Sequence, residues 1–63
     1  MDNKMLEFVG RVRTVSPNAC FIDVDGIKAW IPDSLADYID EPEDYEEIRF
    51  LIPKWLAEKK GFI

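Results

Sequence analysis

The dipeptide Asp25-Gly26 constrains the fold of this chain more than any other feature of its sequence. It separates two runs that are rich in β-forming residues, 19–24 and 27–31. A two-residue hairpin turn of type I′ needs positive φ at both central positions, and Asp-Gly is among the pairs that adopt this conformation most readily. The sequence therefore predicts a tight antiparallel hairpin.

This turn also fixes the register of the two strands, because residues equally far from the turn face each other. One face of the hairpin is then wholly apolar and is predicted to lie in the core: Cys20, Ile22, Val24, Ile27, Ala29 and Ile31. The opposite face carries a cross-strand aromatic pair, Phe21 and Trp30, and a charge pair, Asp23 and Lys28.

Alternating apolar and polar residues predict further strands on both sides of the hairpin. Residues 6–15 place Leu6, Phe8 and Val12 on one face, and residues 48–52 alternate in the same way. Gly10 lies within the first of these runs, where a glycine is typical of a bulge or a sharp bend.

Two helical segments are predicted from their end residues. Ser34 suits the N-cap of a short helical turn that follows Pro32 and runs through Leu35, Ala36 and Ile39. Residues 40–47 are then predicted to form a polar loop. Pro53 suits the first turn of a C-terminal helix over residues 54–60, since its missing N–H needs no partner there, and Gly61 suits the end of that helix. The patterns together predict an α+β fold for one domain, 1–63. It is a small curled antiparallel sheet of three to four strands, barrel-like in the SH3 or OB manner, with a C-terminal helix.

The inventory of reactive residues argues against catalysis and cofactors. Cys20 is the only cysteine and the chain has no histidine, so an internal disulfide and a His/Cys zinc site are ruled out. The chain also lacks a glycine-rich phosphate loop, and Cys20 falls on the predicted core face. We therefore expect a protein that is not an enzyme and has no catalytic, cofactor-binding or metal-binding residues.

The first residues show no basic start followed by an apolar stretch, so we expect no signal peptide, and no apolar run is long enough to span a membrane. With the lone cysteine, this predicts a reducing, cytoplasmic location.

The net charge of −5 is distributed unevenly. The acidic segment 33–47 contains eight acids and neither Lys nor Arg: Asp33, Asp37, Asp40, Glu41, Glu43, Asp44, Glu46 and Glu47. Three interpretations remain open. The segment is a solvated helix and loop, or a mimic of nucleic-acid phosphates that fits a basic protein groove, or a calcium site. The calcium interpretation lacks the spacing and the glycine of such loops.

The aromatic pair has two interpretations. In the first, both rings are covered by the C-terminal helix, near Trp55 and Leu56. In the second, Phe21 and Trp30 are exposed, either as a protein-binding hot spot or as a platform on which single-stranded bases stack, with Arg11 and Arg13 contacting phosphates.

Two motifs resemble a group of small domains encoded by bacteriophages and other mobile elements. Residues 29–35 read Ala-Trp-Ile-Pro-Asp-Ser-Leu, and residues 52–61 read Ile-Pro-Lys-Trp-Leu-Ala-Glu-Lys-Lys-Gly. The group typically shows Trp-Ile-Pro-Lys-Ser followed by Pro-x-Trp-Leu-Ala-x-Lys-Lys-Gly, and the resemblance covers residues 6–63. It assigns no site residues. Asp33 stands where the group has lysine, which argues against a nucleic-acid-binding role.

These observations, together with the resemblance, predict a phage-type accessory or inhibitor protein that is not an enzyme and that acts in the cytoplasm of a bacterial host. It would bind the basic surface of a nucleic-acid-handling protein of host or phage through the acidic segment, with Phe21 and Trp30 beside it. Direct nucleic-acid binding through the aromatic pair, Arg11 and Arg13 remains one alternative. A structural subunit that forms a homodimer through a strand edge is the other.

Overall fold

A computed structural model describes residues 4–63. Residues 1–3, on which the prediction of no signal peptide partly rests, lie outside the described residues. The elements are β1 (Met5–Val15), β2 (Ala19–Val24), β3 (Ile27–Pro32), a 3₁₀ turn (Asp33–Leu35), β4 (Asp37–Tyr38), β5 (Glu47–Pro53) and α1 (Lys54–Lys60). The strands form one antiparallel sheet in the order β3-β2-β1-β5-β4.

The predicted α+β class with a curled antiparallel sheet is confirmed, and the sheet has five strands. The additional strand is the two-residue β4, which lies where the sequence predicted the rest of a helical turn. The helical turn itself is shorter than expected and has Pro32 rather than Ser34 at its N-cap position. Because β3 and β4 are the two ends of the sheet and are not paired with each other, the barrel is not closed.

The hairpin forms as the Asp-Gly turn predicts. Asp25 and Gly26 have φ of 52° and 88°, and Phe21 lies opposite Trp30 in the β2–β3 register. Asp23 is opposite Lys28 as expected, but its carboxylate is engaged at the turn, where Oδ1 accepts a hydrogen bond of 2.7 Å from the Gly26 amide.

The core lies on the predicted face of the sheet and is covered by α1. Its buried side chains are Val12, Cys20, Ile22, Val24, Ile31, Ile48, Phe50, Ile52, Leu56 and Ala57. The prediction for Ile27 is wrong, since this side chain remains 41% exposed. Ile27 directly follows the turn, at the end of the hairpin, where few neighbours are available to cover it.

Strand β1 joins the two halves of the sheet. Its first half pairs with β5 and its second half with β2, and the partners change around Gly10 and Arg11. A Cβ atom on Gly10 would lie 2.6 Å from Ile22 Cγ2 and 2.9 Å from Val24 Cγ2, so β2 approaches β1 closely here. The irregularity in register lies further along, between Val12 and Thr14.

The C-terminal helix covers the predicted residues 54–60 and ends at Gly61 as predicted, but Pro53 occupies the N-cap position at the end of β5 rather than the first helical turn. Pro53 precedes its first turn, and Gly61 ends it with φ of 84°. The amides of Gly61 and Phe62 donate to the carbonyls of Glu58 and Ala57, at 3.2 and 2.9 Å, which is the Schellman arrangement. In the described chain, no helix is long and apolar enough to cross a membrane.

The close approach at Gly10 gives a stability prediction. Gly10→Ala should lower the free energy of unfolding by about 1–3 kcal/mol, since the added methyl group overpacks the contact between β1 and β2. Urea unfolding measures this change. Val9→Ala is the matched control, because Val9 is exposed and should change stability by less than about 0.5 kcal/mol. Equal effects of the two substitutions would contradict the prediction.

Candidate functional site

The acidic segment begins with a side chain that is engaged inside the protein. Asp33 is half-buried, and its Oδ1 accepts hydrogen bonds from the Tyr38 hydroxyl at 2.9 Å and from the Cys20 thiol at 3.7 Å. Burial raises the pKa of Cys20, and the charge of Asp33 raises it further. Burial and the hydrogen bonds with Cys20 and Asp33 likewise raise the pKa of Tyr38. The thiol is therefore buried and protonated at neutral pH, which does not suit a nucleophile.

Asp40 fastens the segment to β5. Its Oδ2 and Oδ1 each lie 3.1 Å from the Arg49 guanidinium, and Oδ2 also accepts the Arg49 amide at 2.9 Å. The side-chain hydrogen bonds from Arg49, followed by the bond from its amide, lower the pKa of Asp40. The amides of Ile39 and Asp40 donate to the Arg49 carbonyl, so this end of the loop is held by both backbone and side chain.

A tight turn near the end of the segment is joined to β1. Within it, the Glu46 amide donates to the Glu43 carbonyl at 3.1 Å. The amide of Val12 donates to the Glu46 carbonyl at 2.9 Å, which extends the pairing of β1 beyond β5. Asp44 Oδ1 accepts the amide of Val15 at 3.1 Å. This turn therefore lies beside the C-terminal end of β1.

Tyr45 is the most exposed large hydrophobic side chain in the described chain, at 71% of its surface, and it has a positive φ of 67°. It occupies the third position of the turn, where a positive φ is normally supplied by Gly or Asn. Its amide donates to the Val12 carbonyl at 2.7 Å, and its carbonyl accepts the Arg11 guanidinium at 2.8 Å. The left-handed conformation costs about 1–2 kcal/mol in a residue with a Cβ. The two hydrogen bonds to the backbone groups of Tyr45 stabilise this conformation.

The sequence pattern does not single out Tyr45, because this residue lies within 40–47, which are predicted to form a polar loop. An aromatic residue between acidic neighbours, in a run with no apolar periodicity, was the available indication. A side chain of this type that has no place in a strand or helix is a candidate for a binding contact.

Five acids of the segment are exposed and, in the described part of the chain, their carboxylates form no hydrogen bond or ion pair. They are Asp37, Glu41, Glu43, Glu46 and Glu47. The eight acids are therefore divided between two roles. Asp33, Asp40 and Asp44 form hydrogen bonds that stabilise the local structure. The carboxylates of the other five are exposed to solvent.

The aromatic pair lies on the outer face of the sheet. The ring centroids of Phe21 and Trp30 are 5.1 Å apart, and Trp30 is 45% exposed. The interpretation that α1 covers both rings is wrong, because the helix buries Leu56 and Ala57 in the core on the opposite face.

The aromatic pair and the acidic turn lie on either side of the end of β1. Thr14 is opposite Phe21 in the β1–β2 register, while the next residue, Val15, bonds to Asp44. Two strand spacings, about 10 Å, therefore separate the strand of Phe21 from the turn. Arg11 and Arg13 are both exposed, but the Arg11 guanidinium is engaged by the Tyr45 carbonyl rather than free for a phosphate.

Among residues 4–63, no cluster of three or more His, Cys, Asp or Glu side chains is placed to hold a metal ion. No protein-family model matches the chain, and no curated protein or solved structure matches it either. The functional argument therefore depends on the geometry of the surface.

The Asp40–Arg49 pair gives a pH prediction. Because Asp40 has a lower pKa in the folded chain than in the unfolded chain, it stabilises the fold at neutral pH. That contribution is lost as the pH falls through the folded-state pKa, below about pH 4. An NMR pH titration of the Asp40 carboxyl should show this lowered pKa. Arg49→Gln should raise it, and the difference in urea stability between wild type and this variant should shrink at low pH.

Arg49→Lys is the matched control for this titration, because it keeps the positive charge but loses the planar fork that bonds both carboxylate oxygens. The pKa of Asp40 should lie between its values in the wild type and in Arg49→Gln. Identical titration in all three proteins would contradict the ion pair.

Proposed function

We propose that this protein is a non-catalytic accessory or inhibitor protein of phage type. Its acidic segment binds the basic groove of a nucleic-acid-handling protein, where the carboxylates take the places of nucleic-acid phosphates. The observation that carries the proposal is the set of five exposed acids between residues 37 and 47, whose carboxylates have no hydrogen-bond or ion-pair partner within the described chain.

The way in which the segment is held supports a binding role. Asp40 bonds Arg49 on β5, Asp44 bonds the amide of Val15, and the turn is joined to Val12. A surface that is ordered before binding loses less conformational entropy when a partner docks. Its carboxylates can therefore match a fixed pattern of Lys and Arg side chains rather than only attract them.

The exposed aromatic residues give this surface apolar anchors. Tyr45 is exposed in the acidic turn beside the end of β1, and Trp30 is exposed on β3, two strands away from β1. Tyrosine and tryptophan are enriched among the residues that contribute most to protein–protein affinity. A partner with a basic groove and an adjacent apolar pocket would engage charge and ring together, which favours a protein over a nucleic acid.

We infer from the resemblance to small phage domains that the partner belongs to the bacterial host or to the phage, and from the acidic segment that it handles nucleic acid. Such a partner already has a groove lined with Lys and Arg, since non-specific binding to DNA depends on those side chains. The net charge of −5 is compatible with such a partner and unfavourable for binding to phosphates.

The proposal predicts displacement of proteins from DNA. Bacterial lysate proteins are loaded on DNA-cellulose at low salt, and the purified protein should elute its target because both occupy the same groove. The triple substitution Glu41→Gln, Glu43→Gln and Glu46→Gln should abolish this elution while leaving the structural acids Asp40 and Asp44 intact. Gel analysis and mass spectrometry of the eluate provide the measurement, and added salt should weaken the effect.

A matched control carries Glu7→Gln, Asp25→Asn and Glu58→Gln, three exposed acids outside the segment. Both triple variants change the net charge from −5 to −2 by removing three negative charges. The control should still elute the target. The mimicry proposal is rejected if neither the wild type nor the control elutes a protein. It is also rejected if the triple variant of the acidic segment and the control triple variant elute the target equally.

A second candidate is a module that binds single-stranded nucleic acid on its outer face. The observation in its favour is the exposure of Trp30 beside Phe21, with Lys28 on the same face of β3. Stacking of bases on such rings contributes about 1–3 kcal/mol per base.

Tryptophan fluorescence distinguishes this candidate from the first. The Trp55→Phe variant leaves Trp30 as the only tryptophan, and oligo(dT) at low salt should quench its emission if bases stack there. Oligo(dT) should cause no quenching if the protein-binding proposal is correct. Double-stranded DNA is the control ligand, because its bases are already stacked.

A further inference from the structure

Strand β3 is an open edge of the sheet. Among residues 4–63, its only paired neighbour is β2, so β3 forms one end of the sheet. Edge strands present unpaired amides and carbonyls that another strand can bond, and proteins usually cover or interrupt such edges. Here the strand runs for six residues and is interrupted only by Pro32 at its end.

The hairpin register determines which groups face outward. In a two-residue hairpin, the pair next to the turn, Val24 and Ile27, exchanges both hydrogen bonds, and such pairs then alternate with non-bonded pairs. Lys28 and Trp30 lie in the non-bonded pairs, so their amides and carbonyls point away from β2. In the described chain, neither amide has another hydrogen-bond acceptor.

These outward groups are complementary to those of a second copy of the same strand. Two antiparallel β3 strands related by a two-fold axis at Ala29 place Lys28 of one copy opposite Trp30 of the other. Each such pair can exchange both of its backbone hydrogen bonds. An axis at Trp30 would instead place Lys28 opposite Pro32, which has no amide hydrogen to donate.

The side chains favour the same register. Directly opposite residues have Cβ atoms about 4.5–5.5 Å apart, so the Lys28 ammonium can lie over the exposed Trp30 ring of the other copy in a cation–π contact. Lys28 is the only charged residue of β3, so no acid opposes another across the axis.

We propose that the protein forms a homodimer by antiparallel pairing of β3 with β3 of a second copy, centred on Ala29. Phe21 and Trp30 then extend from one copy to the other across a continuous outer face. The bonds of Asp44 to β1 and of Asp40 to β5 hold the acidic turn away from β3. Pairing through β3 therefore leaves this turn accessible to another partner.

The first test is sedimentation velocity across a concentration series. The wild type should show a reversible monomer–dimer equilibrium. Lys28→Pro removes an amide that bonds nothing within the monomer, so it should keep the fold, checked by circular dichroism, and weaken dimerisation at least about tenfold. Lys28→Glu keeps the amide but loses two cation–π contacts, which should weaken dimerisation about five- to thirtyfold. Lys59→Glu makes the same charge change on α1 and should have no effect.

Disulfide cross-linking tests the register. Residues that face each other as a non-bonded pair have Cα atoms about 4.5 Å apart, within the range of a disulfide. Ala29→Cys should therefore link two copies under mild oxidation, and Trp30→Cys should not. The wild type is the control, because Cys20 is buried.

A wild type that stays monomeric at all concentrations overturns the dimer. Dimerisation that persists in both Lys28→Pro and Lys28→Glu also overturns the dimer. Lys28→Glu is decisive here because it introduces no proline that could disturb the fold. Cross-linking through Trp30→Cys but not Ala29→Cys overturns the proposed register.

Discussion

The missing side chain of Gly10 allows the two halves of the sheet to pack together. β1 pairs with β5 along its first half and with β2 along its second half, and at the changeover the side chains of Ile22 and Val24 occupy the space of a Cβ. Both are buried core residues. Beyond this point β1 also bonds the acidic turn through Val12, so the position of the candidate surface depends on the same strand as the core.

The structure also depends on the different roles of the eight acids, since some form hydrogen bonds within the chain and the others face solvent. Eight carboxylates within fifteen residues would repel one another strongly if all were free. Three of them instead bond Tyr38 and Cys20, Arg49, and the amide of Val15, so that they stabilise the loop. The protein thus holds a highly charged surface in a defined shape with the help of some of the charges themselves.

The parts of the fold that follow from local rules were predictable. The Asp-Gly turn determined the register of β2 and β3, and Pro53 with Gly61 determined both ends of α1. β4 was not predictable, since two residues are too short to show alternation. The bonds of Asp33, Asp40 and Asp44 depend on which strands lie side by side, and the sequence shows acids there without their partners.

The candidate site was predictable in composition but not in arrangement. The acidic segment and the aromatic pair were found from the sequence, and the structure shows which acids face solvent and that Trp30 is exposed. Tyr45 required the backbone conformation of the turn, because its positive φ and its exposure result from bonds to Val12 and Arg11.

The hydrogen bonds of Asp33 also bear on how this sequence can change over time. A lysine side chain at this position could donate hydrogen bonds but could not accept them. The Tyr38 hydroxyl and the Cys20 thiol both donate to Asp33, so an exchange to lysine alone would leave two half-buried or buried donors without an acceptor. Positions 20, 33 and 38 are therefore expected to vary together among related chains, with lysine at 33 accompanied by apolar side chains or by acceptors at the other two.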